Sequence, residues 1–562
     1  MELLIDNYVV FIFIGLLAFL ATGFPVAFGL AATGLSFGWL GNELGLFPLA
    51  LFQALPLRLF GIMQNDTLLA IPFFTLMGII LERSGMAEDL LETIGQVFGK
   101  VRGGIAVAVV LVGALLAATT GVISAAVISM GLISLPVMLR HGYNRSIATG
   151  VISASGTLAQ IAPPSLVLIV MADQLGQPVG DLYAGALLPA LCLIGIYLLY
   201  ITIIAIMRPA WIPALPPEAL IYKEADGSSG HRSLLVVLLA STAIGVLWSQ
   251  MHDPFMSWMQ GHAYAGAADE KVIFAIIAGS FAAILMASAN RVAKIGALSH
   301  LTEQVVFALI PPLVLIFLVL GTIFLGLATP TEGGAMGATG ALIMALARRR
   351  LSWKLFRQAL DQTTLLTCFV MFIVIGATVF SFAFNAVDGH RWVAHLFDRL
   401  PGGEIGFLLF VCLMVFVLGM FIDYFEIAFI IVPILVPVVQ QMGIDMVWFG
   451  VLVAMTLQTS FLTPPFGYAL FYLRSVAPRN DYTDGTTGRR IGKVTTGQIY
   501  KGSLAFVMLQ VVMIATLMVF PNLVTSGLDR GVAIDVDSVK LQLDTTGQGS
   551  STDGRGYGPS QW

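Results

Sequence analysis

The sequence predicts an all-α polytopic membrane protein built from inverted repeats, with two re-entrant hairpins and two broken helices. Three observations carry that reading. Of 562 residues, 58% are hydrophobic and only 11% charged, with mean hydropathy +0.91, a balance that soluble domains do not reach. Apolar runs of about 20 residues, enough to cross a bilayer, recur along most of the chain. Two of these runs are interrupted in the same way, by small polar residues followed by paired prolines, Ser155-Gly156-Thr157 with Pro163-Pro164 and Thr459-Ser460 with Thr463-Pro464-Pro465. Proline removes a backbone donor and clashes with the preceding turn, so neither helix continues through its break. Open backbone at membrane depth is tolerated only where protein or a cavity satisfies it.

In chain order, spans are expected at about 8–24, 25–41, 68–84, 146–172, 183–207, 234–250, 272–288, 302–325, 331–347, 364–385, 446–473 and 503–520. Two further apolar stretches, 104–139 and 405–441, are too long for one crossing and carry a break in the middle, Thr119-Thr120-Gly121 and Gly419 to Asp423. Each is either two spans or a hairpin that enters and returns. Reading both as hairpins, with Arg348-Arg349-Arg350 cytoplasmic, leaves outside only Arg58, Lys271, Arg391, Arg399, Arg530, Lys540 and Arg555 of the 28 Lys and Arg. Reading either as two spans spoils that bias, so the positive-inside rule favours hairpins with both termini outside. Glu88 to Phe98, Trp353 to Leu360 and Arg391 to Leu400 alternate apolar and charged residues and are expected along the interface.

A shift of 301 residues places Leu135-Pro136-Val137 on Val436-Pro437-Val438, Gly142 on Gly443 and Pro163-Pro164 on Pro464-Pro465. The chain is therefore expected to hold two copies, 1–208 and 302–520, inverted about an axis in the membrane plane. Residues 209–301 read as an inserted linker with two extra transmembrane helices, and 521–562 as a polar C-terminal tail. No cleavable signal peptide is expected, because the first apolar run lacks a basic start. Cys192, Cys368 and Cys412 sit singly, which excludes a disulfide framework and a CxxC metal site.

A broken helix frees carbonyls at the end of its first half and amides at the start of its second. Carbonyls with nearby hydroxyls suit a small cation such as sodium; the amide end suits a carboxylate. The hairpin tips are expected to meet the breaks near the bilayer centre. One cluster gathers Thr119, Thr120, Ser124, Ser155, Gly156 and Thr157 beside Pro163 and Pro164. The other gathers Asp423, Thr456, Thr459, Ser460 and Thr463 beside Pro464 and Pro465. A single Ser or Thr in a membrane helix is commonly bonded only to its own backbone. Asp423, costly inside a membrane, reads as functional, by protonation or ion binding, or as a helix cap at a wetted tip. Glu426 reads as a cap or pair, and Thr329 or Thr331 as a cap for the helix holding Glu332. There is no HExxH, nucleophile elbow or phosphate loop, so an enzyme or an ATP-driven pump is not expected; neither cofactor nor nucleic acid is implied.

Leu68-Leu69-Ala70-Ile71-Pro72-Phe73-Phe74, Glu82-Arg83-Ser84-Gly85, His141-Gly142-Tyr143, Ala154-Ser155-Gly156-Thr157 with Pro163-Pro164-Ser165, Thr329-Pro330-Thr331-Glu332 and Leu462-Thr463-Pro464-Pro465-Phe466-Gly467 together resemble the large, DctM-like membrane subunit of tripartite ATP-independent periplasmic (TRAP) transporters. The first half is most similar to the branch labelled mannitol/chloroaromatic. The resemblance implies an elevator-type ion-transporter fold in the bacterial inner membrane, surrounded by membrane lipid. It implies sodium-driven import of a small carboxylate, a periplasmic substrate-binding protein and a small four-helix membrane subunit. Sodium sites are then implied at Thr119, Ser124, Ser155, Thr459 and Ser460. The extra helices in 234–288 and the long tail depart from the family pattern. The competing readings are a stand-alone sodium/anion symporter on the same scaffold and, in another class, a channel or membrane scaffold.

Overall fold

The computed structural model describes residues 7–219, 222, 230–262, 266, 268–294, 296–398, 401–485 and 487–528. The tail beyond 528 and the Gly/Ser turn at 227–229 lie outside the described residues. The described residues up to 527 form one compact unit. Among the described residues, eight helices are long and apolar enough to cross a bilayer, and a bent pair adds a ninth.

Helices α1 (Tyr8–Ala21) and α2 (Val26–Glu43) are separated by Gly23 and Pro25. Residues 49–63 fall outside every expected span yet are helical: a 3-10 turn (Leu49–Ala54) leads into α3 (Leu55–Met63). Pro56 sits in the first turn of α3, where a missing donor costs nothing. This piece meets α4 (Asp66–Arg83) at 43°. Amphipathic α5 (Met86–Val97) follows.

The first long stretch is a hairpin of α6 (Gly104–Thr120) and α7 (Ile123–Arg140). Its two feet stand on one segment: the Gly103 N–H donates to the Ile212 carbonyl at 2.9 Å and the Asn144 N–H to the Trp211 carbonyl at 2.8 Å. It therefore enters and leaves on one side. The first broken helix comprises α8 (Arg145–Thr157) and α9 (Leu166–Leu175), followed by α10 (Val179–Met207). Helices α11 (His231–Gln260) and α12 (Ala268–Ala293) pack on each other and on α13 (His300–Phe324). Helix α14 (Pro330–Ala347) starts at a Thr329/Glu332 capping box and lies along α4.

The expected interfacial helix at 353–360 is not separate. It is the first part of a continuous 34-residue helix, α15 (Trp353–Ala386), because Ser352 caps its start and no proline interrupts it. Amphipathic α16 (Gly389–Asp398) precedes the second hairpin, α17 (Gly403–Leu418) and α18 (Tyr424–Gln441). Phe397 of α16 stacks edge-on against Phe407 of α17 while α16 also packs on α18, so this hairpin too has both feet on one side. The second broken helix is α19 (Met446–Phe461) and α20 (Tyr468–Val476). A two-stranded ribbon, β1 (Tyr482–Thr483) with β2 (Arg490–Ile491), leads to α21 (Thr496–Val519) and α22 (Asn522–Thr525).

The cation-rich segments hold one another on a single face. Arg348 and Arg350 each pair with Asp89 at 3.0 Å, Arg83 donates to Gln358 at 2.9 Å, and Arg140 pairs with Asp484 at 3.0 Å. The 301-residue shift also matches local structure. Gly142 and Gly443 both take positive φ, and Pro163-Pro164 and Pro464-Pro465 are both cis. Asn144 and Asp445 both cap their helices.

Candidate functional site

Each break is made by the local sequence. Helix α8 ends at Thr157, a 3-10 turn runs through Leu158–Gln160, and Pro163-Pro164 prevents the helix from resuming before Ser165. The Ser165 hydroxyl donates to the Ala159 and Gln160 carbonyls, each at 2.9 Å, and accepts from the Val167 N–H at 3.2 Å, capping α9. At the second break, α19 ends at Phe461 and α20 starts at Gly467 with no side-chain cap.

Glycines bring the hairpin tips to the breaks. A Cβ at Gly121, the tip of the first hairpin, would lie 3.2 Å from the Leu166 nitrogen at the head of α9. One at Gly156 would meet Val127 Cγ2 at 2.4 Å, so α7 presses directly on the end of α8. One at Gly419, in the second tip, would fall 2.2 Å from Ser460 Oγ. Ser155 instead packs on Gly113, two turns before the first tip, and Thr456 lies against Cys412. Ser124 lies against Tyr472 of α20. The side chains of Thr119 and Thr120 lie outside the described residues.

The two halves also interlock. The Tyr424 hydroxyl, at the head of α18, donates to the Val167 carbonyl in α9. Helix α20 packs on α7, where a Cβ at Gly131 would meet Val476.

The five hydroxyls that the sequence places at the ends of the two first-half helices are each bonded to their own helix. Ser155 donates to Val151 O at 2.7 Å, Thr157 to Ala154 O at 2.9 Å, Thr456 to Leu452 O at 2.8 Å, Thr459 to Met455 O at 2.9 Å and Ser460 to Leu457 O at 2.7 Å. Thr463, in the second break, donates to Thr459 O at 2.8 Å. A hydroxyl whose proton is bound in this way offers only lone pairs outward, which suits a cation and not an anion. Asp423 takes the capping role: its carboxylate accepts from the Tyr424 N–H at 2.7 Å, and Glu426 accepts from the Asp423 N–H at 3.2 Å. The polar groups without partners are different ones. Gln160 is fully buried with neither amide atom hydrogen-bonded, the Ser153 hydroxyl is likewise unpaired, and the fully buried Gln458 lies against Tyr197. Sequence reasoning did not single them out, although a carboxamide inside an otherwise apolar break is itself a signal.

Two cavities flank this assembly on opposite sides of the membrane. The inner one, about 510 Å³, is lined by Thr75 and Glu82 of α4, Ser124 and Ile128 of α7, and Gln362 and Leu366 of α15. The outer one, about 240 Å³, is lined by Asn65 and Leu68, Asp173, Thr378 of α15, and Phe429 and Pro433 of α18. It is bridged by Asn65 Nδ2 donating to Asp173 Oδ1 at 2.7 Å. The same two helices, α4 and α15, thus face the first hairpin at the inner cavity, and the second hairpin with the end of the first broken helix at the outer one.

The family model for the tripartite ATP-independent periplasmic transporter, DctM component, matches residues 13–523. The chain belongs to this family. As a TRAP large permease it is a multi-pass inner-membrane transporter subunit and not an enzyme. It is 26% identical to the C4-dicarboxylate TRAP transporter large permease DctM of Pseudomonas aeruginosa over 75% of this chain and 81% of that one. It is 24% identical to the isethionate TRAP transporter permease DctMQ of Oleidesulfovibrio alaskensis, over 82% of this chain and 59% of that longer one. It is 23% identical to the sialic acid TRAP large permease SiaM of Vibrio cholerae, over 90% and 95%. Among solved structures, the Alcanivorax borkumensis YdaH transporter aligns with a TM-score of 0.48 at 13% identity, covering 84% of this chain and 89% of that one.

Proposed function

We propose that this TRAP large permease imports an organic acid, driven by a sodium gradient, receiving its cargo from a periplasmic binding protein and working beside a small four-helix membrane subunit. The observation that carries the reading is the pair of cavities at the two ends of α4 and α15, the inner one lined by the first hairpin and the outer one by the second. A hairpin-and-break assembly sliding past those two helices would open one cavity as it closes the other, which is an elevator cycle. In the present arrangement the inner cavity is the larger, so the chain is close to its inward-facing state.

Sodium is favoured over a proton as the coupling ion. The break hydroxyls turn only lone pairs outward, and both carboxylates at the second tip, Asp423 and Glu426, are bound to backbone. The carboxamide of Gln160 supplies a further oxygen of the kind sodium takes. With both amide atoms unpaired and buried, it carries a penalty of about 1–3 kcal/mol that a bound ion would relieve.

Proteoliposomes holding both membrane subunits test this reading. Uptake should need the binding protein and an inward sodium gradient, and should saturate. Uptake by the permease without binding protein would establish the stand-alone symporter instead, and unsaturable flux would establish a channel. A second measurement needs no transport. Gln160→Leu should raise thermal stability without sodium and abolish the stabilisation that sodium gives; an unchanged sodium shift would remove Gln160 from the ion site.

A further inference from the structure

The largest cavity among those described is not at the breaks. It lies at the cytoplasmic edge, about 920 Å³, bounded by α5, the outer face of α7, residues 215–219 and the β-ribbon loop. That volume is at the upper end of the range that holds small ligands, roughly 300–1,000 Å³. Its lining carries both signs of charge, sorted to different walls. Glu88 and Glu92, four residues apart on one face of α5, and Glu218 form an acidic wall. Arg140, His141 and Arg489 form a basic wall. A third wall is apolar: Leu132, Ile133 and Val137 of α7, with Leu132 59% exposed where the helix faces the bilayer.

We propose that this cavity binds the headgroup of a phospholipid bearing a primary amine, phosphatidylethanolamine in chemical class, with its acyl chains along α7. An anionic headgroup such as phosphatidylglycerol meets the three carboxylates with no compensating charge of its own. A choline headgroup carries the positive charge but has no N–H, whereas a primary ammonium offers three donors to Glu88, Glu92 and Glu218. The phosphate falls to the basic wall. Arg140 is already paired to Asp484, so Arg489 and His141 take the larger part. Burial, then the neighbouring Arg140 and Arg489 against the opposing Asp484, hold the His141 ring below its ordinary value, so at neutral pH it is an uncharged donor. The apolar third wall is what separates a lipid from a soluble phosphoamine. The site joins the first hairpin to α5 and to the 208–219 segment, so an occupying lipid bridges a moving element and its surroundings.

The test uses the full chain with its membrane partner, equilibrated with equal amounts of phosphatidylethanolamine, phosphatidylcholine and phosphatidylglycerol and examined by native mass spectrometry. The amine lipid should be retained over the other two by roughly fivefold, the scale of a partly screened charge-assisted hydrogen bond. The double variant Glu88→Gln/Glu92→Gln, at exposed positions that tolerate the change, should bring the ratio to about one, as should Glu218→Gln. Arg489→Gln should lower retention of all three lipids while leaving their ratio. Equal retention by the unaltered protein, a ratio unmoved in the Glu variants, or preference for phosphatidylglycerol overturns the proposal. Displacement of the lipid by soluble phosphoethanolamine overturns the lipid assignment in favour of a soluble ligand.

Discussion

The two breaks share a residue pattern but not an environment. Residues 153 to 172 are buried throughout the first break, and Tyr424 of the opposite hairpin bonds into it at Val167. At the second break Pro465 and Phe466 are exposed, Phe466 by 46%, while the Tyr500 hydroxyl donates to the Pro465 carbonyl at 2.9 Å and Ser124 of the first hairpin lies against Tyr472 of α20. The tips differ in kind too. The first turns on Gly121 at positive φ with no side-chain cap, while the second is held by the Asp423/Glu426 capping box. In an inverted repeat, identical halves would make both faces equally open. One buried and one exposed break is what the proposed elevator cycle expects of a single state with the outer face closed and the inner face open.

The largest effect is expected from forcing the second tip off its break. Gly419→Leu puts a side chain where Ser460 Oγ stands, 2.2 Å away, and uptake should fall about a hundredfold, the scale of an ångström's misplacement at a working site. Gly156→Leu makes the matching test in the first half; normal uptake in either variant would show that the tips need not close on the breaks. Next is the difference in locking. Tyr424→Phe removes the hydroxyl that bonds the buried Val167 carbonyl across the two halves, a loss of about 0.5–1.5 kcal/mol. In a background lacking the three native cysteines, thiol labelling at S381C in the outer cavity should rise about tenfold. No change in labelling would mean that this bond does not hold the outer face shut. A smaller effect follows from the capping role of Asp423. Asn caps as well as Asp, so Asp423→Asn should keep uptake within about twofold while Asp423→Ala costs about 1 kcal/mol of stability. Loss of transport in the Asn variant would give that carboxylate a coupling role.

The smallest effect concerns the β-ribbon loop. The Thr487 hydroxyl and N–H, with Arg140, hold the Asp484 carboxyl down at about 2. A carboxyl lowered on folding contributes stability above its unfolded value of about 3.9 and loses it as pH falls towards its folded one. Amide protection over residues 481–494, taken relative to the intrinsic exchange rate at each pH, should therefore be high at pH 6 and fall between about pH 4 and 2. An Asp484→Asn variant should be weakly protected throughout; identical profiles in both would detach the loop from this pair.

Much of this architecture is written locally. Pro163-Pro164 and Pro464-Pro465 remove donors wherever they sit, and the excess of Arg and Lys on one side fixes which long stretches turn back. Residues 49–63 were not legible, because a short apolar piece preceded by Pro48 and split by Pro56 has no helical period long enough to read. The site was legible as a region but not atom by atom. Ser155 and Ser460 look available in sequence, yet their protons go to their own helices. Gln160 stands in plain view, and only three-dimensional packing shows that nothing pairs with it.

The sequence by itself determined that the chain lives in a bilayer, where it breaks and where it doubles back, because a missing N–H and a run of apolar residues act at their own position. Only the tertiary structure decided which break is buried, which is exposed and which polar atoms stay unpaired. Those depend on contacts such as Tyr424 with Val167, between residues 257 apart in the chain, and no local pattern encodes a distance across the fold.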